Sequence, residues 1–225
     1  MNYDFDFGPL APYWRSFCWG TLTTVSLAGG TIVCGSLLGI LLGVAWCSRF
    51  RPLTFLLGVM LDLVRALPPL VIILWFYYLL PIASGFRDMP SWMTAWVALT
   101  VNMAAFIADV VRAAVFRVQE PSIDAAKALG MTERQIWIRV LIPEVLRQTL
   151  PTFSLMSIAA LRNTSLASVV AVYELMHTAN LAATNTLRAI EAYMVVAAIY
   201  VCLVIPFALV SRRIERRFGA AEIRL

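Results

Sequence analysis

Arg162, Asn163, Thr164 and Ser165 stand in a row at the end of an uncharged run, residues 148–161. As a helix that run spans about 21 Å, short of a ~30 Å hydrocarbon core, so the arginine that ends it must approach membrane depth. A guanidinium beside amide and hydroxyl groups complements the carboxylate of an amino acid. The same four residues would equally serve to fasten a segment folded back into the bilayer. The sequence from Asn163 stays uncharged as far as Glu174, and such a segment survives there only where protein or a wet cavity covers it. Asn102 and Asp109 lie two helical turns apart on one face, with Arg112 a turn further on. That stripe belongs in a bundle interior or at a subunit interface, and Asn102 is either a pocket wall or a packing contact. Asp62 and Arg65 can neutralise each other along one helix, beside a kink set by Pro68 and Pro69. Bond-making chemistry has little support. His177, the only histidine, has no Cys or second His near it and reads as a polar loop residue, which leaves no metal set and no nucleophile pair. Cys18, Cys34, Cys47 and Cys202 are scattered through or beside apolar segments without paired spacing and read as packing thiols.

The elements that must position these groups belong to a chain of 225 residues that is 61% hydrophobic and 14% charged, more apolar than a soluble core of that size can hide. Five stretches read as spans: the charge-free run between Arg15 and Arg49, residues 53–80 with Asp62 and Arg65 inside, residues 89–108, about 144–161, and 193–210. The expectation is an all-α membrane protein with five transmembrane helices in a single domain, residues 1–225. Asp4 and Asp6 stand where a signal peptide would be basic, and the apolar stretch that follows is too long for one, so no removable signal is expected.

Basic residues choose the orientation. With the amino terminus outside and the carboxyl terminus cytoplasmic, the inner segments hold Arg49 and Arg51, then Arg112, Arg117, Lys127, Arg134, Arg139 and Arg147, and finally Arg212, Arg213, Arg216, Arg217 and Arg224. The outer segments keep only Arg15, Arg87, Arg162 and Arg188. A basic inner face accounts for the net charge of +5 without any nucleic acid partner.

The longest cytoplasmic connection, residues 118–142, breaks with the rest of the chain. Pro121 and Ser122 open it, with Ser122 as the expected N-cap of a helix through Asp124, Ala125, Ala126, Lys127, Ala128 and Leu129. Gly130 should end that helix in a left-handed turn, and Thr132 should cap a second one, with Ile136, Trp137 and Val140 on one face against the inner membrane surface. Such a knob suits docking into a groove on another protein; alone it is also what any cytoplasmic loop could contain.

The order Asp124-Ala125-Ala126, three residues, Gly130, then Ile142-Pro143 resembles the EAA loop of permease subunits of bacterial ABC importers, with Asp124 where Glu is usual. The likeness covers nearly the whole chain and narrows to the branch for polar amino acid uptake. "LVRALPPLVIILWFYYLLP" is similar to its Arg-Gly-Thr-Pro segment, and "NMAAFIADVVRAAV" to its Asn-x-x-Ala-Tyr-x-x-Glu-x-x-Arg helix. "RNTSLASVVAVYEL" is similar to its Lys-Asp/Asn-Thr-Ser-Leu segment, and "EAYMVVAAIY" with "RRIERRF" to its last helix and basic tail. The chain departs from the pattern at Pro121-Ser122, where Gly-Gln is common, at Met103 and Phe106, which make the surroundings of Asn102 more apolar, and at Asn163, which gives up a carboxylate seen in some members.

The resemblance implies the type I importer fold and an ATPase-coupling helix carried by Asp124, Ala125, Ala126, Leu129, Gly130, Ile142 and Pro143. It also frames a substrate-pathway hypothesis for Asn102, Arg162, Asn163, Thr164 and Ser165. The chain has no G-x-x-x-x-G-K-[ST] segment to cradle phosphate, so ATP and Mg would sit on a partner ATPase dimer. The other implied partners are a second permease subunit, identical or paralogous, an extracytoplasmic substrate-binding protein and membrane lipid, all at a bacterial inner membrane. The competing class is an ion-coupled secondary carrier or channel using Asp109 or Glu174 as its ion site. The chain is short for that class and shows no internal repeat.

Overall fold

A computed structural model describes residues 3–85, 89–118 and 122–219, and among them every regular element is helical. Arg87, Pro121 and Arg224, and the side chains of Ser122, Arg216 and Arg217, lie outside what is described. The main helices are α1 (Trp14–Trp46), α2 (Arg51–Ala66), α3 (Pro69–Ser84), α4 (Ser91–Val118), α5 (Ser122–Ala128), α6 (Glu133–Ile136), α7 (Ile142–Asn163), α8 (Leu175–Thr186) and α9 (Ala189–Gly219).

Four stretches are long and apolar enough to cross a bilayer: Gly8–Trp46, Ser91–Val118, Glu133–Val170 and Ala189–Arg213. The α2–α3 pair makes a fifth as a broken span, bent by 108° between Ala66 and Pro69. The cause is local. Pro68 and Pro69 cannot donate to the preceding turn and push Leu67 into an extended conformation, so the helix stops and restarts.

At the centre lies α4, with α1 packed along it. A Cβ at Gly35, Gly39 or Gly43 would fall within 3 Å of Met103, Ile107 or Val111 respectively, so the glycines at every fourth position let the two backbones close up. Arg65 ties α2 to α4 by pairing with both Asp62 and Asp109, and Arg112 lies 4.1 Å over the Trp46 ring. The expected Asp62–Arg65 pair is thus the corner of a three-residue link between helices.

Three expectations about the second half are corrected. The span expected over residues 144–161 is far longer: α6, one π turn at Trp137–Leu141, α7 and a 3-10 turn at Thr164–Val170 form one continuous run of 38 residues. Arg162 lies in the last turn of α7, and the 3-10 turn carries the run on beyond it to Val170. "NTSLASVV" completes that helix, and the element folded back without spanning is α8, reached after Ala171 turns the chain at φ 57°. His177 belongs to the first turn of α8, its ring edge-on to Tyr173, and is not in a loop.

The junction where α8 begins rests on Glu174. Its fully buried carboxylate caps α8, accepting the Met176 and His177 amides at 2.9 and 2.7 Å and the Tyr200 hydroxyl of α9 at 3.4 Å. At the same end Tyr3 donates to Glu191 at 2.7 Å and Arg188 to the Asp4 carbonyl at 2.8 Å, strapping the amino-terminal segment over the start of α9. The bond to Glu191 pushes the Tyr3 phenol above its ordinary range.

Candidate functional site

Two regions draw on the residues that the sequence singles out, and they lie at different places along the bundle. The first is the corner between α5 and α6. Asp124 in the first turn of α5 and Lys127 in its last complement the helix dipole. The helix closes with a Schellman motif: the Met131 amide donates to the Ala126 carbonyl at 3.1 Å and the Gly130 amide to that of Lys127 at 2.9 Å, with Gly130 at φ 73°. Thr132 then starts α6 through a reciprocal capping box with Gln135. Both expected punctuation residues do their work here.

The corner is built on one buried side and one bare side. Ala126 packs among Val115, Val118, Ile136 and Leu141, while Asp124, Ala125 and Leu129 face outward. Leu129, 81% exposed, crowns the turn. The second helix, expected to lie against the inner membrane surface on Ile136, Trp137 and Val140, instead opens the long run: Ile136 and Val140 turn into the core, and Trp137 faces outward with Ile138 and Ile142. Pro143 supplies the physical reason: its ring crowds the carbonyl one α-turn back, and widening the turn, with the Ile142 amide reaching the Trp137 carbonyl, relieves that. Pro143 itself is exposed.

The second region is a cleft of about 200 Å³ at the heart of the bundle, between α1, α3, α4 and α7. Asn102 and Asn163 line it together, from α4 and α7. Its walls are otherwise apolar, with Met103, Phe106 and Met156 prominent, and Pro69 brings in the start of α3. Thr31 of α1 also lines it and was not singled out in the sequence; its only signal is a hydroxyl one turn before the glycine stripe. Two polar atoms here are buried without a hydrogen-bond partner: Oγ1 of Thr31, in a residue 1% exposed, and Nδ2 of Asn102, 7% exposed.

The remaining pathway residues are not in this cleft. Arg162 and Ser165 open onto a separate groove against Tyr200, Val201, Val204 and Ile205 of α9. Thr164 is fully buried and donates to the Leu161 carbonyl at 2.8 Å. Asp109 and Glu174, the ion sites that a carrier would need, are engaged by Arg65 and by the α8 amides.

Residues 35–220 match the family model described as "Binding-protein-dependent transport system inner membrane component". The chain belongs to that family. Among relatives of this permease family, the probable glutamine ABC transporter permease protein GlnM of Bacillus subtilis (strain 168) is 30% identical over 217 residues, covering 96% of this chain and 98% of that one. The glutamine transport system permease protein GlnP of Escherichia coli (strain K12) is 28% identical over 201 residues, 87% of each chain. A chain from the crystal structure of an amino acid ABC transporter with histidines superposes with a TM-score of 0.87 at 26% identity, covering 96% of this chain and all of that one. The permease fold expected from the sequence, all-helical with up to five spans, is therefore the fold this chain has.

Proposed function

We propose that this permease is the membrane subunit of an ATP-driven importer that moves a polar amino acid, or an amino acid derivative, across the bacterial inner membrane by alternating access. The reading rests on family membership together with the relatives named for glutamine and the neighbour named for amino acid transport. The amino terminus faces outside and the carboxyl terminus the cytoplasm, which puts the α5–α6 corner on the ATPase side and the strapped start of α9 on the side of the substrate-binding protein. The whole chain, residues 1–225, acts as one domain.

The observation that carries the mechanism is the capped corner with its bare crown. A turn whose backbone is satisfied by its own Schellman motif and capping box keeps its shape without help, yet it holds Leu129 in water. Asp124, Ala125, Ala126, Leu129 and Gly130 form the lever that an ATPase cleft grips, with Ile142 and Pro143 where the lever joins its span. The buried Ala126 and the continuous Glu133–Val170 run pass its displacement into the bundle. ATP and Mg stay on the partner ATPase dimer, and this chain hydrolyses nothing. A second permease subunit, identical or paralogous, completes the pore. Asn102 and Asn163 form the pathway surface contributed by the cleft; Arg162, Thr164 and Ser165 hold the end of the long run that flanks it.

Co-purification tests this directly. The permease expressed with its ATPase should bring that ATPase down, and a cysteine crosslink from position 129 should reach it. A permease that never captures an ATPase and transports on an ion gradient instead would end the proposal.

A further inference from the structure

The outer face formed by α7 and α9 is apolar around one cation. Val201, Ile205 and Leu209 follow at every fourth position of α9, each more than half exposed, and Leu155, also exposed, stands two turns before Arg162 on the same side of α7. Between the helices runs a groove of about 400 Å³, lined by Arg162, Ser165, Tyr200, Val201, Val204 and Ile205.

This groove lies at mid-depth. Val201 is the midpoint of the apolar stretch Ala189–Arg213, about 18 Å of helix from either end. Arg162 is exposed there, and among the described residues its guanidinium has no hydrogen-bond or ion-pair partner. Lipid suits the apolar rim but not a bare guanidinium at that depth. A helix of another subunit, apolar except for one carboxylate, suits both.

A second copy of this chain does not supply that carboxylate. Among the described residues, Glu174 is fully buried on the α8 amides, Glu191 is fully buried under Tyr3 at the strapped start of α9, and Asp62 and Asp109 are held by Arg65. The other described carboxylates lie in the amino-terminal segment, at the α5–α6 corner or in the first turn of α7. Two identical faces brought together would also set cation against cation. Resting on the importer reading, we propose that this face seats a paralogous permease subunit rather than a second copy, and that an aspartate or glutamate of that subunit pairs with Arg162 in the middle of the bilayer. The apolar rims supply contact area. The ion pair supplies selection, because in a pair of like subunits each charge would be desolvated and unmatched.

The test is disulfide crosslinking in membranes, with the chain expressed together with its ATPase, its four cysteines replaced by alanine and Val201→Cys introduced in the groove. Expressed without any other permease, this chain should link poorly to itself. Adding Arg162→Met should raise self-linking at least about ten-fold, while Arg162→Lys, which keeps the charge, should not. In the native membrane the same cysteine should link to a second permease-family chain, identified by mass. Arg162→Glu should lower that link about ten-fold, and exchanging the carboxylate nearest the linked position for arginine should restore it. Crosslinks to either partner that ignore the charge at position 162 overturn the inference. Loss of uptake with Arg162→Met while every crosslink stays as it was also overturns it, and assigns Arg162 to the cargo. Uptake by identical pairs of this chain on the ATPase overturns this inference alone; a chain that captures no ATPase removes the importer reading and this inference with it.

Discussion

The α5–α6 corner and the central cleft are opposite kinds of unfinished surface. At the corner the turn is closed by its own Schellman motif and capping box, and what is left over is apolar: Leu129, Trp137 and Ile138 stand in the open. In the cleft the apolar groups are covered, and what is left over is polar: Oγ1 of Thr31 and Nδ2 of Asn102 have nothing to bond. The first deficit is removed by a protein with an apolar groove, the second by a small polar ligand. Shape should therefore govern the corner and hydrogen bonding the cleft, and substitutions that alter one without the other separate the two.

The largest effect is expected at Gly130. Its φ of 73° is a conformation a β-branched residue adopts only with strain of about 1–2 kcal/mol, although nothing lies within 4 Å of where a Cβ would be. Gly130→Val should still insert and bind ATPase, but uptake into proteoliposomes should fall to background while ATP hydrolysis continues. Normal uptake and normal hydrolysis together would show that the corner transmits nothing.

Leu129→Glu comes next. The side chain touches little within the chain, so thermal stability should hold within about 0.5 kcal/mol, as for surface changes generally. Capture of the ATPase should drop several-fold. A fall in stability without loss of capture would place Leu129 in the permease's own packing and break the contrast.

In the cleft the expected trade runs the other way. Thr31→Val keeps the shape and removes an unpartnered buried hydroxyl, so the permease should be unchanged or more stable, by up to about 1 kcal/mol, as uptake falls. Thermal denaturation in detergent beside uptake in vesicles measures both. Loss of stability would mean that the hydroxyl is already satisfied within the fold.

The same contrast explains what could be read from the chain. The corner is written in consecutive letters: Gly130 and Thr132 act through backbone geometry within a few residues, so their roles follow from sequence. The spans follow equally from runs of apolar residues, and the break between α2 and α3 from Pro68-Pro69. The cleft is assembled from α1, α3, α4 and α7, and no local pattern states which polar residues will meet. Asn102 and Asn163 come together; Thr31, far away in sequence, joins them; Arg162, adjacent to Asn163, faces elsewhere because consecutive helical residues point about 100° apart. Trp137 departs from its expected face for a related reason. A period of 3.6 groups it with Ile136 and Val140, but Pro143 forces a wider turn through this segment.

The smallest effect sharpens the comparison most, because it alters the corner without touching its crown. Thr132→Ala removes the oxygen that accepts the Gln135 amide and should cost about 1 kcal/mol of local helix stability. Gly130 would still turn the chain, and Leu129 would still be presented, so ATPase capture should be unchanged. The start of α6 would fray, softening the link between the lever and the Glu133–Val170 run. Uptake per ATP hydrolysed should therefore fall by a few-fold, and hydrogen exchange at Glu133–Ile136 should quicken. If exchange quickens and the uptake ratio does not move, force enters the bundle through the buried Ala126 contact rather than along the helix.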